Sequence, residues 1–160
     1  MEIRAAIAED RAEIWKVLAP VIRAGETYAL PRDMDEEAAL AYWLAPAHEV
    51  FVATIDGGIA GTYYLRTNQQ GGGAHVANCG YVTSPRFSMR GVAAAMCDHS
   101  LTQARARGFK AMQFNFVVAS NEHAVRLWRR LGFRVVGTLP RAFDHPRLGL
   151  VDALVMFREL

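Results

Sequence analysis

The chain has little of what would tie it to a disulfide frame, a metal or a membrane. Its 160 residues include only two cysteines, Cys79 and Cys97, and these stand apart with no Cys-x-x-Cys spacing. That pattern excludes a disulfide scaffold and a thiolate zinc site, implies no metal, and suits a reducing compartment. No apolar stretch approaches bilayer length, and Met1-Glu2-Ile3-Arg4 passes at once into charged sequence. Neither a signal peptide nor a membrane span is expected, and the cytoplasm is the expected location. No run of basic residues forms a tail, and a formal net charge of +2 gives no push toward nucleic acid. Internal repeats and domain linkers are missing too, so residues 1–160 read as one domain. What remains, 52% hydrophobic and 21% charged residues, is the composition of a globular protein with a sizeable core.

Periodicity then orders the elements. Residues 2–5 read as a strand, and a helix opens at Ala8-Glu9-Asp10, with Ile14, Val17, Leu18 and Val21 at helical spacing and Gly25 as its end. A turn from Pro31 to Asp35 caps a second helix over 36–44, which stops before Pro46. Two β-rich runs, 49–55 and 59–66, flank the turn Asp56-Gly57-Gly58 and predict an antiparallel pair. A Gly-rich loop over 68–73 leads to a strand over 75–83, a helix over 91–107 closed by Gly108, and a strand over 112–119. Asn121 caps a helix that Gly132 stops, and strands over 133–138 and 151–158 follow, with a loop over 141–149 between them whose His145 and Arg147 are candidates to gate a substrate. This order predicts an α/β (α+β) fold, a mixed sheet with helices on both faces. Ligands of such sheets sit beyond the carboxyl ends of the strands, here between the strand ending at Thr83 and the one ending at Ala119.

The most informative stretch lies at that point. Gly80-Tyr81-Val82 meets a turn at Ser84-Pro85-Arg86, and Arg90-Gly91-Val92-Ala93 opens the long helix. A helix start carries unpartnered N–H groups and a positive dipole end, so an anion docks there. Gly91 and Ala93 keep bulk away while Arg86 and Arg90 add positive charge, which together suit a pyrophosphate. On the strand before it, alternation puts Val76, Asn78 and Gly80 on one face and His75, Ala77, Cys79 and Tyr81 on the other, His75 standing at the strand's edge. Gln113 and Asn115 share one face of an otherwise apolar strand, and buried amides there need partners, a ligand being one. Tyr63 and Tyr64 point to opposite faces, so one of them can line a cleft. Arg126, Arg129 and Arg130 form a helix stripe that reads as a solvated face or as a phosphate contact.

The cradle, followed by Asn121-Glu122-His123-Ala124 and Leu127-Trp128-Arg129-Arg130-Leu131-Gly132-Phe133, resembles the GNAT N-acetyltransferases, whose signature is a Q/R-x-x-G-x-G/A loop and then N-x-x-A-x-x-x-Y-x-x-x-G-F. The resemblance runs from Ile3-Arg4-Ala5-Ala6 to Val151-Asp152-Ala153-Leu154-Val155. It implies a mostly antiparallel sheet with a splayed central parallel pair, and acetyl transfer from acetyl-CoA, as co-substrate, to an amine in a ternary complex without an acyl-enzyme. It assigns to acetyl-CoA the strand residues Tyr81, Val82 and Thr83, the loop residues Arg86, Ser88, Met89, Arg90, Gly91, Val92 and Ala93, and Asn121 and Trp128 beyond them. Two departures stand out: Ser88 holds the loop position of the usual Gln or Arg, and Trp128 that of the Tyr serving as general acid. An indole N–H has no proton to give the departing thiolate. The position of the usual Glu base is Asn78, which implies catalysis by positioning and oxyanion stabilisation. The run from Phe114 to Asn121, with Asn78 and Val151-Asp152-Ala153, also resembles those members that acetylate small cyclic imino acids. That narrower likeness implies Asn78 as catalytic positioner, Asn115 as a contact to the substrate carboxylate, Asn121 on the CoA side, and a small amino-acid-like amine; Tyr28, in the loop between the first two helices where this fold admits substrate, and Phe116 are further substrate-side candidates. Acetylation of a protein N-terminus or lysine, and a non-catalytic acyl-CoA sensor, are the open alternatives. A homodimer is left open as well.

Overall fold

The hairpin expected at Asp56-Gly57 forms with both residues at positive φ, 50° and 79°, as the two-residue turn that matches strand twist requires. It joins β2 (Glu49–Ile55) to β3 (Gly58–Thr67) in the computed structural model, which describes residues 1–160. The other strands are β1 (Glu2–Ala5), β4 (Val76–Thr83), β5 (Ala111–Val118), β6 (Arg134–His145) and β7 (Gly149–Glu159), and the helices are α1 (Arg11–Ala24), α2 (Glu36–Trp43), α3 (Val92–Ala106) and α4 (Glu122–Arg130). One seven-stranded sheet results, in the order β1-β2-β3-β4-β5-β7-β6. Every neighbouring pair is antiparallel except β4 and β5. No helix is long and apolar enough to cross a membrane.

Alternation along the strands divides the apolar residues between two cores. Phe51, Tyr63, Leu65, Ala77 and Cys79 pack with Met96, Cys97 and Leu101 of α3 and Leu127 and Trp128 of α4. Their neighbours Val52, Tyr64 and Val82 pack on the opposite face with Ile14, Leu18 and Ile22 of α1 and Leu40 and Trp43 of α2. The faces read from alternation on β4 are therefore the observed ones, and helices cover both sides. Tyr63 goes to the α3 side, where its hydroxyl meets His99 Nδ1 at 2.7 Å. Asp35 caps α2 by accepting from the Ala38 N–H at 2.8 Å. Ile22, buried in the core, takes the place expected for Val21, which is half-buried at a cavity wall.

Two expectations need correction. Residues 8–10 form a short 3₁₀ turn, and α1 proper starts at Arg11. The expected loop over 141–149 is strand: β6 continues through His145, and only a short turn separates it from Gly149. The register shifts between Leu139 and Phe143, with Arg141 at φ 52° and its N–H donated to Asp152 Oδ1 at 2.9 Å. Pro140 has no N–H to offer a ladder, so the sequence reads as a break where the structure makes an irregularity within one long hairpin. His145 is 5% exposed, and its Nδ1 accepts from the N–H groups of Arg147 and Leu148, both at 3.2 Å. It shapes that turn from within; Arg147, exposed at the tip, reaches Glu26 at 2.9 Å.

Candidate active site

The site follows from a pairing that stops. β4 and β5 run parallel and share backbone register only at Val76 with Ala111 and Ala77 with Met112. Beyond this point the strands diverge, and the next residues are joined differently: Asn78 Nδ2 donates to the Gln113 carbonyl at 2.9 Å. A side chain thus satisfies the carbonyl that the splay leaves without a backbone partner. A cavity of about 410 Å³ occupies the opening, within the size range of small-molecule sites. Its walls are β4 from Asn78 to Thr83, β5 from Phe114 to Val118, Thr27 to Leu30 of the α1–α2 connection, and α4 side chains including Trp128.

At one side the opening meets the start of α3. Gly91 precedes the helix at φ 76° with no side-chain cap, so the first N–H groups of α3 lack a capping side chain. Nothing lies within 4 Å of a Cβ added at Gly91. The glycine is needed there for its left-handed backbone, not for crowding. Arg86 and Arg90 are exposed around it, each guanidinium 5.6 Å from the Phe87 ring centre, and Met89 is exposed at φ 61°. An uncapped helix start with two basic side chains fits a pyrophosphate. Val92 is buried in the α3 core and Ser88 is exposed, so Val92 offers an anion only its backbone.

On the other side the cavity is aromatic. Tyr28 donates its hydroxyl to the Tyr81 carbonyl at 3.0 Å and packs edge-on against Trp43, 6.0 Å away. Tyr64 lies over Gly80, where an added Cβ would stand 2.6 Å from its Cε1. It is stacked on His48 at 4.1 Å, and its hydroxyl is 3.4 Å from that of Tyr42. Burial pushes the phenols of Tyr28 and Tyr64 well above the ordinary tyrosine value, so neither supplies a base. Burial likewise pushes Cys79 and Cys97 up to about 12, which withholds the thiolate a covalent route needs.

The polar groups form two chains. Asn78, 5% exposed, accepts from Arg66 Nε at 3.1 Å through Oδ1 while donating to Gln113. Gln113 Nε2 in turn donates to Asn115 Oδ1 at 2.8 Å, and Asn115 Nδ2 donates to Asn68 Oδ1 at 2.7 Å. Protein groups are therefore the partners expected for these amides, and each Asn keeps one N–H and one lone pair free. Trp128 stands over Tyr81 and Phe114, with ring centres 5.1 and 5.2 Å apart, and serves as core and cavity wall at once. The Tyr81 side chain points to the α3 side, where its hydroxyl meets Ser100 Oγ at 2.7 Å. Its backbone is what faces the opening.

Of the residues singled out in the sequence, Tyr28, Asn78, Tyr81, Val82, Thr83, Ala93, Asn115, Phe116, Asn121 and Trp128 line this one cavity. Arg86, Ser88, Met89, Arg90, Gly91 and Val92 form the adjoining loop and helix start. Asn121 also caps α4, accepting from the Ala124 N–H at 3.3 Å. His75 is exposed at the entry to β4, outside the cavity wall, and Arg126 pairs with Glu122 on the exposed face of α4. Sequence reasoning passed over Arg66 and Tyr42. Only the β3–β4 register, with Arg66 opposite Asn78, reveals the first.

With this geometry in view, the comparisons are specific. Residues 9–133 match the model of the Acetyltransferase (GNAT) family. N-acetyltransferase aca1 of Schizosaccharomyces pombe is 33% identical over 117 residues, which are 69% of this chain and 54% of that protein. The chain spans about half the length of that curated relative. A GCN5-related N-acetyltransferase from Kribbella flavida superposes with a TM-score of 0.95 at 39% identity, covering 99% of this chain and 97% of the other. The yncA protein of Salmonella typhimurium, solved with its cofactor acetyl-CoA, shares the fold at a TM-score of 0.86 and 21% identity, over 100% and 94% of the two chains. The chain belongs to the GNAT acetyltransferase family.

Proposed function

We propose that residues 1–160 act as one catalytic domain that transfers the acetyl group of acetyl-CoA to the amine of a small, amino-acid-like molecule, by direct attack in a ternary complex. The observation that carries this reading is the wedge between β4 and β5, which joins an uncapped, basic helix start to an aromatic cavity. Acetyl-CoA would place its pyrophosphate on the first N–H groups of α3 beside Arg86 and Arg90, and its thioester along β4. The outer edge of Tyr81 to Thr83, turned away from β3, offers backbone N–H groups to polarise the thioester oxygen. Asn78, fixed by Arg66 and Gln113, presents its remaining N–H and lone pair to hold the amine. The nitrogen attacks the carbonyl carbon, a C–N bond forms as the C–S bond breaks, the thiolate departs, and the amine's proton passes to water. No carboxylate lines the cavity to take that proton.

The test is binding followed by turnover. Acetyl-CoA at about a hundred times its Kd should stabilise the fold by about 2.7 kcal/mol, read as a rise in Tm. Gly91→Glu, which sets charge and bulk at the anion site, should remove that rise. Thiol release with a panel of small amines then reads transfer. Binding of acetyl-CoA without turnover on any amine would favour a sensor.

A further inference from the structure

The charges that line the cavity are few and of one kind. No Asp or Glu lines it, and Arg66 is its only Lys or Arg. A site built for a diamine or polyamine must meet at least one cationic group besides the reacting nitrogen, and an enclosed cation needs an anionic partner. This cavity offers the reverse. Arg66 sits on β3 directly opposite Asn78 of β4 and donates its Nε to Asn78 Oδ1 at 3.1 Å. No carboxylate lies within ion-pair distance of its guanidinium, and its two terminal nitrogens make no hydrogen bond within the protein. The Nε bond orients the planar group, and a guanidinium held by one edge presents the other as a fork matched to a carboxylate. That fork stands beside the amide which, in the function proposed above, holds the amine.

We propose that Arg66 binds the carboxylate of the acceptor, so that the substrate is an α-amino or imino acid and its amine is presented to the thioester from the Asn78 side. The proposal rests on the reading that this cavity takes the acceptor amine. It adds a charged group to the carboxylate contact that the resemblance implies for Asn115. The carbon of a free α-carboxylate lies two bonds from the amine nitrogen, so a carboxylate anchored at Arg66 leaves the nitrogen within reach of Asn78. A lysine side chain in a protein carries no such group.

The experiment compares α-amino and cyclic imino acids with their own carboxamides and decarboxylated amines, by thiol release and by titration onto the CoA-loaded protein. The native chain should favour the acid over its amide by about 10²-fold in kcat/KM, the scale of a charge-assisted bidentate pair. Arg66→Gln should collapse that ratio toward one, mainly through KM for the acid, with the Kd for acetyl-CoA unchanged. Arg66→Lys should recover part of the ratio and shows by its Tm that the fold is intact. Equal use of acid and amide by the native chain overturns the proposal. So does an Arg66→Gln variant that slows acid and amide alike, since Arg66 would then act only by holding Asn78. If acetyl-CoA binds and no amine turns over, the acetyltransferase reading fails. Titration still decides Arg66 in that event: acid binding lost in Arg66→Gln supports the anchor, and acid binding no tighter than the amide's refutes it.

Discussion

Gly80→Ala is the sharpest test of how the amine side is built. The added methyl would stand 2.6 Å from Tyr64 Cε1, 2.7 Å from its Cζ and 2.8 Å from its Oη. Carbon atoms in contact prefer about 3.5–4.0 Å, so the ring must withdraw by about 1 Å. Apart from the cavity itself, it has little room to do so. Tyr64 is 5% exposed, stacked on His48 at 4.1 Å and edge-on to Trp43 at 4.9 Å. Overpacking of this kind costs about 1–3 kcal/mol, of which the stiffer unfolded chain offsets about 0.4–1 kcal/mol. A net loss of roughly 0–2.6 kcal/mol corresponds to a fall in Tm of up to about 10 °C for a chain of this size. The ring displaced into the cavity should also raise KM for the amine several-fold while acetyl-CoA binding stays. A double-mutant cycle in urea isolates the contact: in a Tyr64→Ala background, Gly80→Ala should be neutral or slightly stabilising. An equal penalty in both backgrounds refutes the argument, because Tyr64 would then not be the obstacle.

Three further outcomes are expected. Asn78→Ala should lower kcat by about 10²-fold with acetyl-CoA affinity kept, and Asn115→Ala should act mainly on KM for the amine; folded variants with native kinetics at both positions would make these amides fixtures of the sheet. Cys79→Ala with Cys97→Ala should leave turnover within a few-fold, and intact mass should find no acetyl group on the native chain; a trapped acetyl-protein would contradict direct transfer. Burial holds His48 and His99 below the usual histidine value, so the unfolded chain binds more protons than the folded one below about pH 6.5. Stability should therefore be full above that pH and decline as pH falls from there toward the lower folded values. Urea midpoints that stay flat over this window, or that decline equally in the His48→Gln, His99→Gln double variant, would rule these histidines out.

Much of this was legible in the chain because local chemistry agreed with the fold. The Asp56-Gly57 turn set one hairpin register, Asp35 and Asn121 marked helix starts, and the alternation of β4 separated Asn78 from Cys79. The rest depended on pairings that no local signal encodes. Arg66 meets Asn78 across a connection with no two-residue turn, so their register emerges only when β3 and β4 pack. Pro140 reads as a strand break because a missing donor is usual at loops; here an irregular β6 absorbs it together with the left-handed backbone of Arg141. Gln113 and Asn115 read as amides that need partners, yet Asn68 can be named only from the loop that places it beside Asn115.

The ion pair of Glu26 with Arg147 fastens the α1–α2 connection to the tip of the β6–β7 hairpin. Glu26 is followed by Thr27 and Tyr28 of the cavity wall, and the hairpin's Phe143 backs Phe116 with ring centres 6.2 Å apart. An exposed pair of this kind contributes on the order of 0–1 kcal/mol and is weakened by salt. It acts as a latch that thermal motion releases many times over, not as a bolt. Parting the α1–α2 connection from the hairpin tip, beside the cavity wall, therefore costs little on the scale of the whole fold.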